Sequence, residues 1–81
     1  MTEHEIAAVV HGVLREVFER EDLALSPSTT AKEVPGWDSF KQIEIVLALE
    51  ARFGISFTTQ DLDALRTVGD LVAVVCRKSF G

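Results

Sequence analysis

One cysteine in 81 residues cannot close a disulfide within the chain, which fits a reducing cytoplasm. Cys76 ends the apolar run Val72-Ala73-Val74-Val75-Cys76 and reads as a small packed hydrophobe rather than a reactive thiol. Two prolines and five glycines are too few for a low-complexity linker or a collagen-like repeat. Positive charge is scarce: 8 Lys and Arg stand against 13 Asp and Glu, a net charge of −5. Such a surface repels phosphate backbones, so nucleic acid is a poor partner and proteins with basic patches are the natural counterpart. The longest apolar run falls far short of the ~20 residues a membrane span requires. Residues 1–20 begin with acidic side chains and lack an apolar signal core, so no secretion signal is indicated. No Cys/His cluster suggests a metal site, and no G-x-S-x-G elbow suggests a nucleophilic serine. No catalytic residue is expected.

What is present is ordinary for a globular protein, with 47% hydrophobic and 26% charged residues. Residues 1–81 make one domain with one core, and the initial Met1 and tight length suggest a discrete protein. Thr2 and Glu5 have capping-box spacing, and Ile6, Val9, Val10, Val13, Leu14, Val17 and Phe18 follow at helical intervals. The pattern predicts helix 1 over residues 3–20, with Glu16 and Arg20 paired on its solvent side. His4 and His11 roughly share a face and read as solvated polar positions. Gly12 costs helix stability, and a closely approaching neighbour would account for it.

Residues 21–38 form a long connection rich in Ser, Thr and Pro, with Leu23, Leu25, Val34 and Trp37 as pins over the core. Helix 2 starts at Asp38 or Ser39 and ends near Phe53-Gly54, where the glycine suits a C-terminal cap. Phe40, Ile43, Val46, Leu47, Leu49 and Phe53 project onto a wide apolar arc with Ile45 at its edge. Lys41, Glu44, Ala48, Ala51 and Arg52 share the other side. So wide an arc predicts that helix 2 packs on several neighbours and is the central element. Thr58 with Asp61 predicts a short helix at 59–65, and Thr67 with Asp70 a last helix ending near 78. Arg77 and Lys78 occupy the end of that helix that favours cations.

Gly36-Trp37-Asp38-Ser39-Phe40 delivers one serine to the first turn of helix 2, at the positive end of its dipole. A phosphate ester there would sit in a favourable field. The plainer reading is punctuation, since Ser39 and Gln42 have S-x-x-Q spacing and Asp38 is an equally good cap. A small helical interaction module with Ser39 only as a cap therefore stays open. A helix-turn-helix meets the wrong charge in Asp61, Asp63 and Asp70, and a calcium loop lacks its glycine and terminal glutamate.

The chain resembles the acyl carrier protein family, including peptidyl carrier domains, in Gly36-Trp37-Asp38-Ser39-Phe40, Ile43 through Glu50, Phe53, and Thr67-Val68-Gly69-Asp70-Leu71. The resemblance covers nearly the full chain and implies an all-α fold, a right-handed four-helix bundle of three main helices and a short helix 3. It implies that Ser39 takes 4′-phosphopantetheine from coenzyme A through a phosphopantetheinyl transferase and magnesium. Asp38 would serve as cap and transferase-recognition residue. The arm would carry acyl or aminoacyl groups as thioesters to loading, transferring or condensing enzymes. The protein itself would be non-catalytic, cytoplasmic and monomeric.

On the same resemblance Phe40, Lys41, Glu44, Ala48, Glu50 and Arg52 would form the partner-recognition face. Glu44 and Glu50 match the family's acidic helix 2, whereas Lys41, Ala51 and Arg52 dilute it and Phe40 replaces the usual leucine. Those departures point away from housekeeping fatty-acid synthesis and towards polyketide or hybrid-peptide assembly. D-alanyl carriers share the Trp37-Asp38 pairing. The interior between helices 2, 3 and 4 and the loop could shelter a short acyl chain near Ile45, Val46 and Leu62.

Overall fold

The computed structural model describes residues 2–80. Four α-helices, α1 (Glu3–Phe18), α2 (Ser39–Phe53), α3 (Thr59–Asp63) and α4 (Val68–Phe80), enclose one core. α1 opens as its capping spacing dictates. The Thr2 hydroxyl accepts the Glu5 N–H at 3.2 Å, and the Glu5 carboxylate accepts the Thr2 N–H at 2.9 Å. Ile6, Val10, Val13 and Leu14 then form its buried stripe.

α1 stops two residues short of the expected Arg20. Glu19 turns left-handed at φ 55°, and Arg20 N–H reaches back to the Arg15 carbonyl at 3.0 Å, a Schellman closure. Arg20 thus lies beyond the helix, and the expected Glu16–Arg20 pair is not among the described ion pairs.

α1 packs on both α2 and α4, while α2 and α4 meet less extensively. Centrality therefore belongs to α1 and not, as the apolar arc suggested, to α2. The arc was also centred wrongly. Ile45 is fully buried with Val46 and Leu49, whereas Phe40, Ile43 and Leu47 are exposed. A helical projection shows that α2 has more apolar positions than one face can hold, but not which of them the neighbours cover.

The connection between α1 and α2 is pinned as expected. Leu23 and Val34 are buried, and Leu25 and Trp37 lie against the core. Arg15 adds a bond from its Nε to the Leu23 carbonyl at 3.0 Å. Two features of this connection were not expected. A 3-10 turn spans Ala31–Glu33, and an isolated antiparallel bridge joins Thr30 to Thr67.

The loop also caps α4: Val68 N–H donates to the Thr29 carbonyl and Gly69 N–H to the Pro27 carbonyl, both at 2.9 Å. Close approach occurs at Gly69, where a Cβ would stand 2.8 Å from the Pro27 oxygen. At Gly12 nothing lies within 4 Å, so packing does not explain that glycine.

α3 is shorter than the spacing predicts. Ala64 N–H turns back to the carbonyls of Gln60 and Asp61, each at 3.2 Å, and the helix closes at Asp63. α4 is longer, running to Phe80. Its cap is as expected, with Thr67 Oγ1 accepting Asp70 N–H at 3.1 Å and Asp70 Oδ2 accepting Thr67 N–H at 3.1 Å. None of the helices is long and apolar enough to cross a membrane, among the described residues.

Candidate functional site

Three local devices place Ser39. Gly36 adopts φ 89°, which L side chains resist, and reverses the chain after Pro35. Trp37 is then clamped: its ring meets Phe18 with centroids 5.7 Å apart, and its Nε1 donates to Gln42 Oε1 at 2.7 Å. Asp38 caps α2, its Oδ1 accepting Lys41 N–H at 2.9 Å and its carbonyl accepting Gln42 N–H at 3.0 Å. Ser39 follows as the first helical residue, exposed to solvent.

In this arrangement Ser39 is not the cap of α2. Asp38 performs the capping, and Gln42 is committed to the Trp37 indole, so the S-x-x-Q box does not form. The Ser39 hydroxyl is left without a hydrogen-bond partner among the described residues, at a helix end whose first N–H groups point outward. A hydroxyl so presented fits a phosphodiester-linked prosthetic group: it would be open to a transferase, and a phosphate attached there would meet the positive end of α2.

A shallow groove of about 550 Å³ runs beside the hydroxyl, with Trp37, Gln42 and Ile43 on one side and Ala31, Leu62 and Leu65 on the other. A smaller, wholly apolar pocket of about 170 Å³ shares Gln42, Ile43 and Leu62 with it and adds Val46 and Leu47. The cavity in the region expected to shelter an acyl chain is walled by α2 and α3. Val46 and Leu62 belong to it, but Ile45 faces the core and no α4 residue lines it.

The six residues nominated for partner recognition do not form one uniform surface. Phe40 and Arg52 are exposed. Lys41 is half-buried, its Nζ 3.3 Å from the Val17 carbonyl and 3.6 Å from Glu44. Ala48 packs against the core. Glu50 turns inward, where its Oε2 accepts the Phe57 N–H at 2.7 Å. The exposed Ile43, Leu47 and Leu62 were missed as surface residues because their period marks them for a core.

Asp61 was also missed in its larger role. Nearly buried, it caps α3 through Thr58 and holds Arg77 Nη2 at 2.6 Å and Lys78 Nζ at 2.8 Å. The Lys78 ammonium and the Thr58 N–H hold its carboxyl far below the usual carboxylate range. The Cys76 thiol is pushed up by burial and then by Glu3. His11, half-buried, is pushed down by burial and then by Arg15, while His4 is exposed. No cluster of His, Cys, Asp or Glu among the described residues is arranged to hold a metal ion.

The sequence profile described as "Phosphopantetheine attachment site" matches residues 8–75, a span that includes Ser39. The meromycolate extension acyl carrier protein of Mycobacterium tuberculosis is 32% identical over 75 residues, covering 93% of this chain and 65% of the relative. The chain thus spans about 65% of the length of that mycobacterial relative. An acyl carrier protein of an Exiguobacterium species is 31% identical, covering 93% of this chain and 95% of its own. Among solved structures, the holo acyl carrier protein of Geobacter metallireducens superposes with a TM-score of 0.85 at 29% identity, covering 89% of this chain and 83% of that one. With the profile spanning residues 8–75 and the fold shared, the chain belongs to the acyl carrier protein family, non-catalytic carriers that hold phosphopantetheine.

Proposed function

We propose that Ser39 is the residue that carries the 4′-phosphopantetheine arm, and that the chain presents acyl intermediates to the enzymes of a specialised cytoplasmic pathway. The observation that carries this reading is the division of labour at the start of α2. Asp38 caps the helix and Ser39, relieved of that task, stands exposed with an unengaged hydroxyl. When bound, the arm supplies a terminal thiol on which acyl or aminoacyl groups travel as thioesters. The chain's own contribution is placement. Trp37 and Gly36 fix the approach of the loop, and α2 holds the hydroxyl at its rigid first turn.

Asp38 spends one carboxylate oxygen on Lys41 N–H, and we assign its second oxygen to contact with the transferase and its magnesium. The self-neutralised Lys41–Glu44 pair and the exposed Phe40 support a specialised pathway of the polyketide or hybrid-peptide kind. A second reading, extension of long fatty acyl chains, is favoured by the name of the mycobacterial relatives. Loading assays separate them: transfer of malonyl and long-chain acyl groups supports extension, and transfer of aminoacyl groups supports hybrid assembly.

Incubation with coenzyme A, magnesium and a broad-specificity phosphopantetheinyl transferase tests the attachment itself. The intact mass rises by one phosphopantetheine, and Ser39→Ala abolishes the gain. An unchanged wild-type mass in the presence of an active transferase would falsify the proposal.

A further inference from the structure

We infer that the enzymes reaching Ser39 grip α2 through an apolar cleft, and not through a basic patch that reads acidic side chains. This rests on the reading of Ser39 as the attachment residue and specifies the partner surface that reading requires. Phe40, Ile43 and Leu47 succeed one another at intervals of three and four, so they form one stripe running from Ser39 along α2. Leu62 of α3 flanks it. Their exposures are 73, 59, 58 and 40%, whereas Ile45 and Leu49 on the same helix are completely covered. The stripe is therefore surplus to the core. Contiguous exposed apolar side chains in a small acidic domain mark a surface that another molecule covers.

Charge decides the kind of partner. Residues Ser39–Phe53 contain two carboxylates and two cations, so α2 contributes nothing to the net charge of −5. Both carboxylates are engaged, Glu44 with Lys41 at 3.6 Å and Glu50 with the Phe57 N–H at 2.7 Å. The remaining exposed charge on the helix is the cation Arg52. A basic surface would be drawn to the acidic stretches elsewhere, such as Glu19 to Asp22, and would find beside Ser39 only the Asp38 carboxylate, one oxygen of which already caps α2.

Two other occupants fit less well. Phe40 does not line the 170 Å³ pocket, so an acyl chain folded back into that pocket would leave the most exposed aromatic ring uncovered. A second copy of the chain would need about 800 Å² of surface per partner, more than four side chains supply.

The transferase is the first enzyme that must reach Ser39, and the unacylated chain with coenzyme A is the probe. The KM for the carrier chain should change by less than about twofold between low and high salt, because screening acts on charge and not on apolar contact. Phe40→Ser and Leu47→Ser should each raise that KM by about tenfold while leaving the melting temperature unchanged. A KM that climbs steeply with salt overturns the inference, as does a loss at Glu44→Gln equal to that at Phe40→Ser. So do serine variants with wild-type KM, or a chain that sediments as a dimer at assay concentration. Absence of any modification of the wild type would instead remove the Ser39 reading on which the inference stands.

Discussion

At Asp61 a single carboxylate joins the start of α3 to the end of α4. It accepts the Thr58 N–H at 2.8 Å to start α3 and holds Arg77 and Lys78 at the end of α4. Its carboxyl is depressed first by Lys78 and next by the Thr58 N–H, so the folded state binds this proton less readily than the unfolded chain. The stability it contributes is fully present above the unfolded value of about 3.9 and is lost as pH falls towards the lower folded value. We expect Asp61→Asn to lower the melting temperature at neutral pH and to flatten the acid limb of the stability profile below pH ~4. An unaltered acid limb would show that another carboxylate controls it. From the sequence, Thr58 and Asp61 are legible as a cap because their spacing is local. The pairing of Asp61 with residues 77 and 78 is not legible, since nothing in a chain separation of 16 residues indicates contact.

Ser39 shows the same limit from the other side. Local spacing offers two capping candidates, Asp38 and Ser39, and does not choose. The choice falls to Trp37, whose indole takes Gln42 away from the serine's box.

Elements end where backbone chemistry allows, and two such ends can be tested. Glu19 closes α1 in the left-handed region, where a Cβ is unfavourable. Glu19→Gly should stabilise the fold by up to about 1 kcal/mol in chemical denaturation. A loss of stability would mean that the Glu19 side chain compensates for the strain. The other end is the start of α4, where the loop carbonyls of Pro27 and Thr29 accept the Gly69 and Val68 N–H groups alongside the Thr67–Asp70 cap. Gly69→Ala places a methyl 2.8 Å from the Pro27 oxygen. It should cost about 1–3 kcal/mol by displacing the loop. Gly12→Ala, with open space around it, should be neutral or stabilising by up to about 1 kcal/mol. Equal effects at the two glycines would contradict the loop docking.

The helices themselves were legible because their stripes and caps are local signals. α2 was misread because it has two apolar faces. Ile45 and Leu49 serve the core, while Phe40 and Leu47 serve the surface, and residue type does not distinguish them. The 3-10 turn at Ala31–Glu33 rests on a local T-x-x-E box of Thr30 and Glu33 but is too short to leave a periodic trace, and the Thr30–Thr67 bridge depends on tertiary docking.

Across the whole molecule, the scaffold holds Ser39 at the surface. α1 organises the core against α2 and α4, and the long connection folds over it. Its turn at Gly36 brings Ser39 to the surface beside an apolar groove. Residues Ser39–Phe53 carry no net charge, so α2 adds nothing to the −5 and presents its exposed apolar stripe beyond the Asp38 cap. Family membership was readable from Gly36-Trp37-Asp38-Ser39-Phe40 joined to the order of the helices, whereas the surface around Ser39 needed the fold to reveal it.

The most direct test is peptide mapping of the chain after reaction with coenzyme A and the transferase. Proteolysis and tandem mass spectrometry should place the whole phosphopantetheine gain on Ser39. Modification at Ser26, Ser28, Ser56 or Ser79, or none at all under an active transferase, would contradict the account.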